Sequence, residues 1–523
     1  MTRPNERQLD VLFVEPSSAE EAYQELCHNY AAIETPTWSL LLAQSCRSKG
    51  FGVAILDCVA EHLTVSQAVD RIKDTNPRLV VFVMYGQNPN SGTTSMIGAR
   101  KTAKALKEKY PEFKTCFVGS HVSALPKEVL SWEEVDIVLL NEGVYALHNL
   151  LKADLSIPNQ LEKIKGIGWK AKYGSDHGHP YTSDFPILNP PERIVPQELM
   201  DIDLPGYAWD LLPYKNKPLD LYRSHFWHAN FSHPNRTPSA AIYTSLGCRF
   251  ACNFCMINIV NRVDNGDNIH AAHSRGMRYW SPNFILKEFE KLNEFGTKAV
   301  RISDEMFFLD KRFFEPLLNG IVEKQLKLNM WAYSRIDTVQ PKYLELFKKA
   351  GINWLALGVE AANQAIRTEI SKGSFKNINI RDVVKTVRDF DVNVISNYIF
   401  GFPTDTIQTM QETLDLALEL NTETANFYPC QALPGSLLYL EAKQKGYLPT
   451  SLQGYAFLSY ESQPLPTQFV SSADVLRFRD NAWQTYFTNP AHLDLVEKKF
   501  GPEAKMNIQA MSAIKLKRKL LGD

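Results

Sequence analysis

The residues best suited to chemistry lie in TSLGCRFACNFCMIN, where Cys248, Cys252 and Cys255 form a C-x3-C-x2-C array. Thiolates on one tight loop can hold three irons of a 4Fe–4S cluster. A structural zinc site wants a fourth ligand, usually supplied as two paired-ligand knuckles. The next cysteine is Cys430, and no Cys or His pair follows at knuckle spacing. The array therefore leaves one iron open to a small molecule. Structural zinc and three buried thiols are the rival readings. Chance is a poor rival, because the chain has eight cysteines in 523 residues and three of them fall within eight positions.

The elements that must carry this loop alternate. SAAIYTSLG (239–247) reads as a strand with the array at its carboxyl end. Further strands follow in KAVRISDEMF (298–307), LNMWAYSRID (328–337), WLALGVE (354–360), VNVISNYIFGFP (392–403) and ETANFYPCQALPG (423–435). Upstream, LDVLFVEP (9–16), VAILD (53–57), LVVFVMYGQN (79–88), TCFVGS (115–120) and VDIVLL (135–140) alternate with helical patterns at 37–50, 65–76 and 95–109. Such alternation predicts a parallel, doubly wound sheet. Ligands on such sheets sit outside the carboxyl ends of the strands. Those ends carry Glu15–Ser17, Tyr85–Asn88, Gly119–His121 and Asn141–Gly143.

The cysteine array, with Phe254 before its third cysteine, resembles the cluster motif of the radical S-adenosylmethionine (SAM) superfamily. The resemblance implies that SAM chelates the open iron and that a partial (β/α)6 barrel carries the loop. Chemistry in barrels of this type gathers at the strand carboxyl ends. ISDEMFFLD resembles the second-strand motif that contacts the SAM amino group and brings in Ser303, Asp304 and Glu305. A helix N-cap is the plain alternative for Ser303 or Asp304. YSRID puts Arg335 where the family has an arginine. LGVEAANQAIRTEISKG resembles a stretch that places Glu360 at the SAM ribose or methionine end and closes on Lys372-Gly373. A structural ion pair is the alternative for Arg335 and Glu360. FGFPTDT resembles the GFPGET turn near the adenine and brings in Gly401, with Thr404 and Asp405 in place of Gly and Glu. ALPGSLLY resembles the turn after the sixth strand.

The upstream sheet resembles the cobalamin-binding domain that precedes many such enzymes. GSHVSALPKEVL is similar to a Gly-Gly-x-His stretch with Ser120 for a glycine, and LLNEGVYAL to a GEGE stretch with Val144 for its second acid. The resemblance implies that Pro16, Ser17, Tyr85, Gln87, Asn88, Gly119, Ser120, His121, Glu142 and Gly143 face cobalamin. The D-x-H-x-x-G motif that ligates cobalt from below is absent. For His121, a hydrogen bond within its own loop is the plain alternative. IDLPGYAWDLLP resembles the linker common between these two domains.

The expected division is therefore 1–155 cobalamin-binding domain, 156–236 linker with a hairpin, 237–445 radical SAM barrel and 446–523 helical region. YRSHFWHANFSH (222–233) crowds three His among aromatics without metal-ligand spacing, and packing is its plainer reading. AIKLKRKLLGD is a basic amphipathic end read as a solvated face. The resemblance, to class B radical SAM methylases, implies a 4Fe–4S cluster, SAM and cobalamin as cofactors. It implies a small-molecule substrate and an electron donor such as flavodoxin or ferredoxin. Methyl transfer to an unactivated carbon is the first expectation, cyclisation or rearrangement the second, and a non-enzymatic cobalamin or redox sensor the third.

Composition sets outer limits. Hydrophobic content of 44% and charged content of 22% are those of a globular protein. A formal net charge of −1 gives no electrostatic case for nucleic acid. No apolar run approaches the ~20 residues of a membrane span, and the start lacks a signal-peptide apolar region. Scattered remaining cysteines suit reduced thiols in the cytoplasm.

Overall fold

The computed structural model describes residues 9–85, 91–171, 185–264, 266, 269–370 and 378–523. Gln87, Asn88, Lys372 and Gly373 lie outside them. The chain forms two compact units, neither of them continuous in sequence. The first takes residues up to Ser18, Pro36–Pro213 and Met256–Arg278; the second takes Ala19–Thr35, Tyr214–Cys255 and Tyr279–Asp523.

The first unit is built on a seven-stranded sheet. Its strands are β1 (Val11–Glu15), β2 (Val53–Asp57), β3 (Leu79–Met84), β4 (Thr115–Gly119), β5 (Ile137–Leu139), β6 (Ile167–Ala171) and β7 (Phe185–Leu188), in the order β2-β1-β3-β4-β5-β6-β7. The first five are parallel, and β6 and β7 add antiparallel at one side. Every residue of β3 and β4 is buried, as expected of parallel strands covered on both faces. The order 2-1-3-4-5 has its switch point between β1 and β3, where a doubly wound sheet opens its crevice. The helix Val65–Thr75 starts at a capping box between Thr64 and Gln67 and ends on Asn76 in the left-handed region.

The helix Ser91–Lys109 follows β3 and starts four residues earlier than the sequence pattern suggests. It runs hard against the loops after β1 and β4. A Cβ on Gly98 would sit 2.1 Å from the Ser17 carbonyl oxygen, and one on Gly92 would sit 1.9 Å from Ser120 Oγ. Glycine is what allows these approaches.

The second unit holds a six-stranded, all-parallel sheet. In chain order its strands are β8 (Ser239–Ile242), β9 (Ala299–Ile302), β10 (Asn329–Arg335), β11 (Ile352–Glu360), β12 (Asn393–Phe400) and β13 (Thr424–Pro429), and their spatial order is the same. This is the half-barrel that the resemblance implies. Its two free edges are covered, as exposed edges must be. At β8, Thr35 Oγ1 accepts from the Ala241 amide at 2.9 Å and donates to the Ala241 carbonyl at 3.1 Å. At β13, Arg479 from the helix Ser472–Phe487 donates to the Phe427 carbonyl at 2.8 Å.

The C-terminal region is helical as expected, over Ser472–Phe487, Pro490–Phe500 and Pro502–Ser512. The basic end departs from its reading. Only Lys519–Leu521 makes a helical turn, and Arg518 is buried. It forks onto Asp480 with both contacts at 2.8 Å, so a charge read as solvated is a buried anchor. In 222–233, Trp227 packs against Trp331 and Trp354, and buried His228 pairs with the Asn329 carbonyl.

Candidate functional site

The cysteine loop leaves the half-barrel just beyond β8. Cys248 is buried, Cys252 and Cys255 are half-exposed, and none is in a disulfide. The Cys255 amide donates to the Cys252 carbonyl at 3.1 Å, which closes the C-x2-C turn. Tails of later strands brace the loop. Arg335, at the end of β10, lies 3.6 Å from the Phe250 ring centre and forks onto Asp337 at 2.9 and 2.8 Å. Phe254 packs on Phe402, with ring centres 5.5 Å apart. The Leu438 amide donates to the Asn253 carbonyl at 3.1 Å.

The residues after β9 divide by role. Asp304 is fully buried, and its carboxylate accepts from the Thr244 amide, Thr244 Oγ1 and Ser245 Oγ, each at 2.6 Å. It is a strut between β9 and the turn that leads into the cysteine loop. Burial still pushes its carboxyl up to about 6. Glu305 is half-buried. Burial pushes its carboxyl up to about 7; Arg301 pulls it down and Asp304 adds to the rise. Below them Arg301 reaches Glu34 and donates to Tyr333 Oη at 2.7 Å. Burial pushes Glu34 up, but Arg301 and His225 outweigh it and hold the carboxyl at about 2.

Glu360 ends β11 with a backbone φ of +67° next to a register shift in the ladder with β12. A left-handed conformation in a non-glycine residue is strained and tends to mark functional sites. Gly401 has φ +88°. Its amide and that of Phe402 donate to Asp405 at 3.0 and 2.9 Å, so the Asp in this turn holds the turn's own backbone.

In the first unit, Tyr85 follows β3. It stacks on Trp38 at 4.4 Å and donates to the Asn141 carbonyl. His121 sits on the short helix Ser120–Ala124 after β4 and is 1% exposed. Its Nδ1 is 3.2 Å from Thr93 Oγ1, while Nε2 has no hydrogen-bond partner. Burial pulls its imidazole down to about 4, which keeps it neutral at pH 7. Glu142 is buried, accepts from the Val195 amide and forms an ion pair with Arg278 at 2.8 Å. Gly143 takes φ +75°, with its amide on Asn141 Oδ1.

Residues 25–151 match the B12 binding domain, and residues 242–417 match the Radical SAM superfamily. The chain is a radical SAM enzyme with a B12-binding domain. It is 27% identical over 391 residues to an uncharacterized methyltransferase of Pyrococcus horikoshii, a match covering 74% of this chain and 74% of that protein. It is 21% identical over 422 residues to the anaerobic magnesium-protoporphyrin IX monomethyl ester cyclase of Cereibacter sphaeroides, covering 78% of this chain and 60% of the cyclase. The solved structure of the radical SAM methyltransferase TsrM from Kitasatospora setae, with tryptophan and a SAM analogue, shares the fold. It aligns with a TM-score of 0.64 at 15% identity, over 97% of this chain and 98% of that one.

The cofactors of this radical SAM enzyme are a 4Fe–4S cluster, SAM and cobalamin. Its residues fit them. Among the described residues no three His, Cys, Asp or Glu side chains converge as a single ion would require. A cube takes each thiolate on a different iron, so ligands on one loop need not converge on one point. His121 Nε2 is a buried, unspent polar atom beyond β4, the feature a bound hydrogen-bonding ligand would satisfy. Among the described residues no helix is long and apolar enough to cross a membrane.

Sequence reasoning missed Arg301, Glu34, Arg262 and Arg278. Arg301 carried a signal: a charge inside the apolar strand AVRI.

Proposed function

We propose that this protein is a cobalamin-dependent radical SAM methyltransferase acting on a carbon of a small molecule. When bound, the cluster and SAM supply a 5′-deoxyadenosyl radical, and methylcobalamin supplies a methyl group. The observation that carries the reading is the braced, half-exposed C-x3-C-x2-C loop in a chain that also holds a B12-binding domain.

In this reading Cys248, Cys252 and Cys255 hold three irons, and Phe254 shields the loop. Glu305 and Ser303 take the SAM ammonium. Arg335, already over Phe250, positions the loop and faces the SAM carboxylate. Glu360 takes the ribose or methionine end, and the Gly401 turn approaches the adenine. Asp304 acts through the Thr244–Ser245 turn and not by touching SAM. Pro16, Ser17, Tyr85, Gly119, Ser120, His121 and Gly143 would line the corrinoid, with Tyr85 standing at the β3 end. Glu142 contributes by shape, because its carboxylate is spent on Val195 and Arg278. A reductant of the flavodoxin or ferredoxin kind delivers the electron.

Cyclisation without methyl transfer is the second reading, favoured by the match to the cyclase. SAM carrying an isotopically labelled methyl group separates the two. Label recovered in a product from an anaerobic cell extract supplies the support, while a converted product free of label assigns the chain to the cyclase-like reading.

A further inference from the structure

The segment that follows the third cysteine is built into the first unit. One peptide bond separates Cys255 from Met256, where the compact unit changes. The turn Ile257–Asn261 packs on the helix Ser120–Ala124, which carries Ser120 and His121. Arg262 has a side chain with no exposed surface. It donates to the Ser123 carbonyl at 2.5 Å, and its own carbonyl accepts from Asn141 Nδ2 at 3.1 Å. Asn141 also accepts from Tyr85 and Ser123 through its carbonyl. Further on, buried Arg278 pairs with Glu142 at 2.8 Å and donates to the Val195 carbonyl at 2.7 Å and Asn261 Oδ1 at 3.0 Å. The segments after β4 and β5 are thus each held by a buried guanidinium supplied from just past the cysteine array, and Tyr85, after β3, joins them through the Asn141 carbonyl.

Burying two guanidiniums is costly unless their donors are met. Here one partner of each belongs to a strand-end loop expected to hold the corrinoid, the Ser123 carbonyl for Arg262 and Glu142 for Arg278, while the other donors of Arg262 go to Asp264 and Gly266. Resting on that reading of the first unit, we propose that Arg262 and Arg278 are positioning residues that couple corrinoid occupancy to the order of the Cys252–Cys255 turn. A corrinoid seated against Ser120, His121 and Gly143 stiffens the helix and loop that Arg262 and Arg278 grip. The grip restrains Met256, and through one peptide bond it restrains Cys255. Cluster and corrinoid then assemble cooperatively, with no contact between them required.

The test is hydrogen exchange on the full-length, cluster-reconstituted protein, with and without hydroxocobalamin, following peptides that span 248–256 and 257–264. Bound corrin is counted separately by its visible absorbance. The coupling predicts that bound hydroxocobalamin slows exchange at least about fivefold in both peptides. In Arg262→Ala, hydroxocobalamin still protects the helix Ser120–Ala124 but no longer protects 248–256. Arg262→Lys, which keeps one donor, restores part of the protection. Corrin bound to the wild type with no change in 248–256 overturns the coupling, as does equal protection of that peptide in Arg262→Ala. Absence of bound corrin from the wild type overturns the reading of the first unit as well, and so separates the two failures.

Discussion

Glu305 and Asp304 show why identity at a motif position does not fix a role. Both carboxyls stand at the end of β9, but one faces inward onto three donors and the other is half-buried above Arg301. The raised carboxyl of Glu305 has a definite pH signature. Its folded value, about 7, exceeds its ordinary 4.5, so the folded state binds this proton more tightly than the unfolded one. The stabilisation is complete below pH 4.5 and lost as pH rises through 7. Glu305→Gln, neutral throughout, is expected to raise stability above pH 7 by up to about 3 kcal/mol and to leave it unchanged below pH 4.5. The same change is expected to weaken SAM binding about tenfold, because it removes the charged acceptor. Paired melts and SAM titrations check both; a variant that gains no alkaline stability and binds SAM normally places Glu305 outside the site. The sequence displayed the residue types here but not their orientation. That depends on a turn at Thr244–Ser245, which no local pattern announces.

Among the elements, the alternation of apolar strands and amphipathic helices was enough to give the parallel strands of both sheets, but not the antiparallel β6 and β7 that extend the first. The periodicity is local, and central strands such as β3 and β4 are buried on both faces. Ends were less legible, since the run 239–247 reads as one strand although β8 stops at Ile242 and a separate strand takes Ser245–Cys248. The Asp304 strut is what holds that run. Asp304→Ala leaves three buried donors unmet and is expected to cost about 3 kcal/mol, with the lowest unfolding transition in a urea titration moving to lower denaturant. An unchanged transition contradicts the strut. Thr244→Val, which removes one hydroxyl donor and keeps the backbone one, is expected to cost less.

Across the whole molecule, the order of the domains could be read and their interleaving could not. Residues 19–35 join the second unit through Thr35 and Glu34, and 256–278 join the first through Arg262 and Arg278. Both segments carry only short helices and turns, so periodicity says nothing about which core receives them. The deciding contacts are made by single polar or charged side chains whose partners include groups remote in sequence. The edge proposed to face the corrinoid was legible only as four loop clusters at strand ends; His121, with one nitrogen satisfied and one unspent, distinguishes itself only in three dimensions.

The most direct test is anaerobic reconstitution with iron, sulfide and hydroxocobalamin, followed by reduction with SAM and mass spectrometry for 5′-deoxyadenosine. The wild type is expected to retain corrin and to form 5′-deoxyadenosine. Cys252→Ala, at a half-exposed position where folding tolerates the change, is expected to form none. 5′-Deoxyadenosine from Cys252→Ala, or none from wild type with a full cluster, would contradict the account.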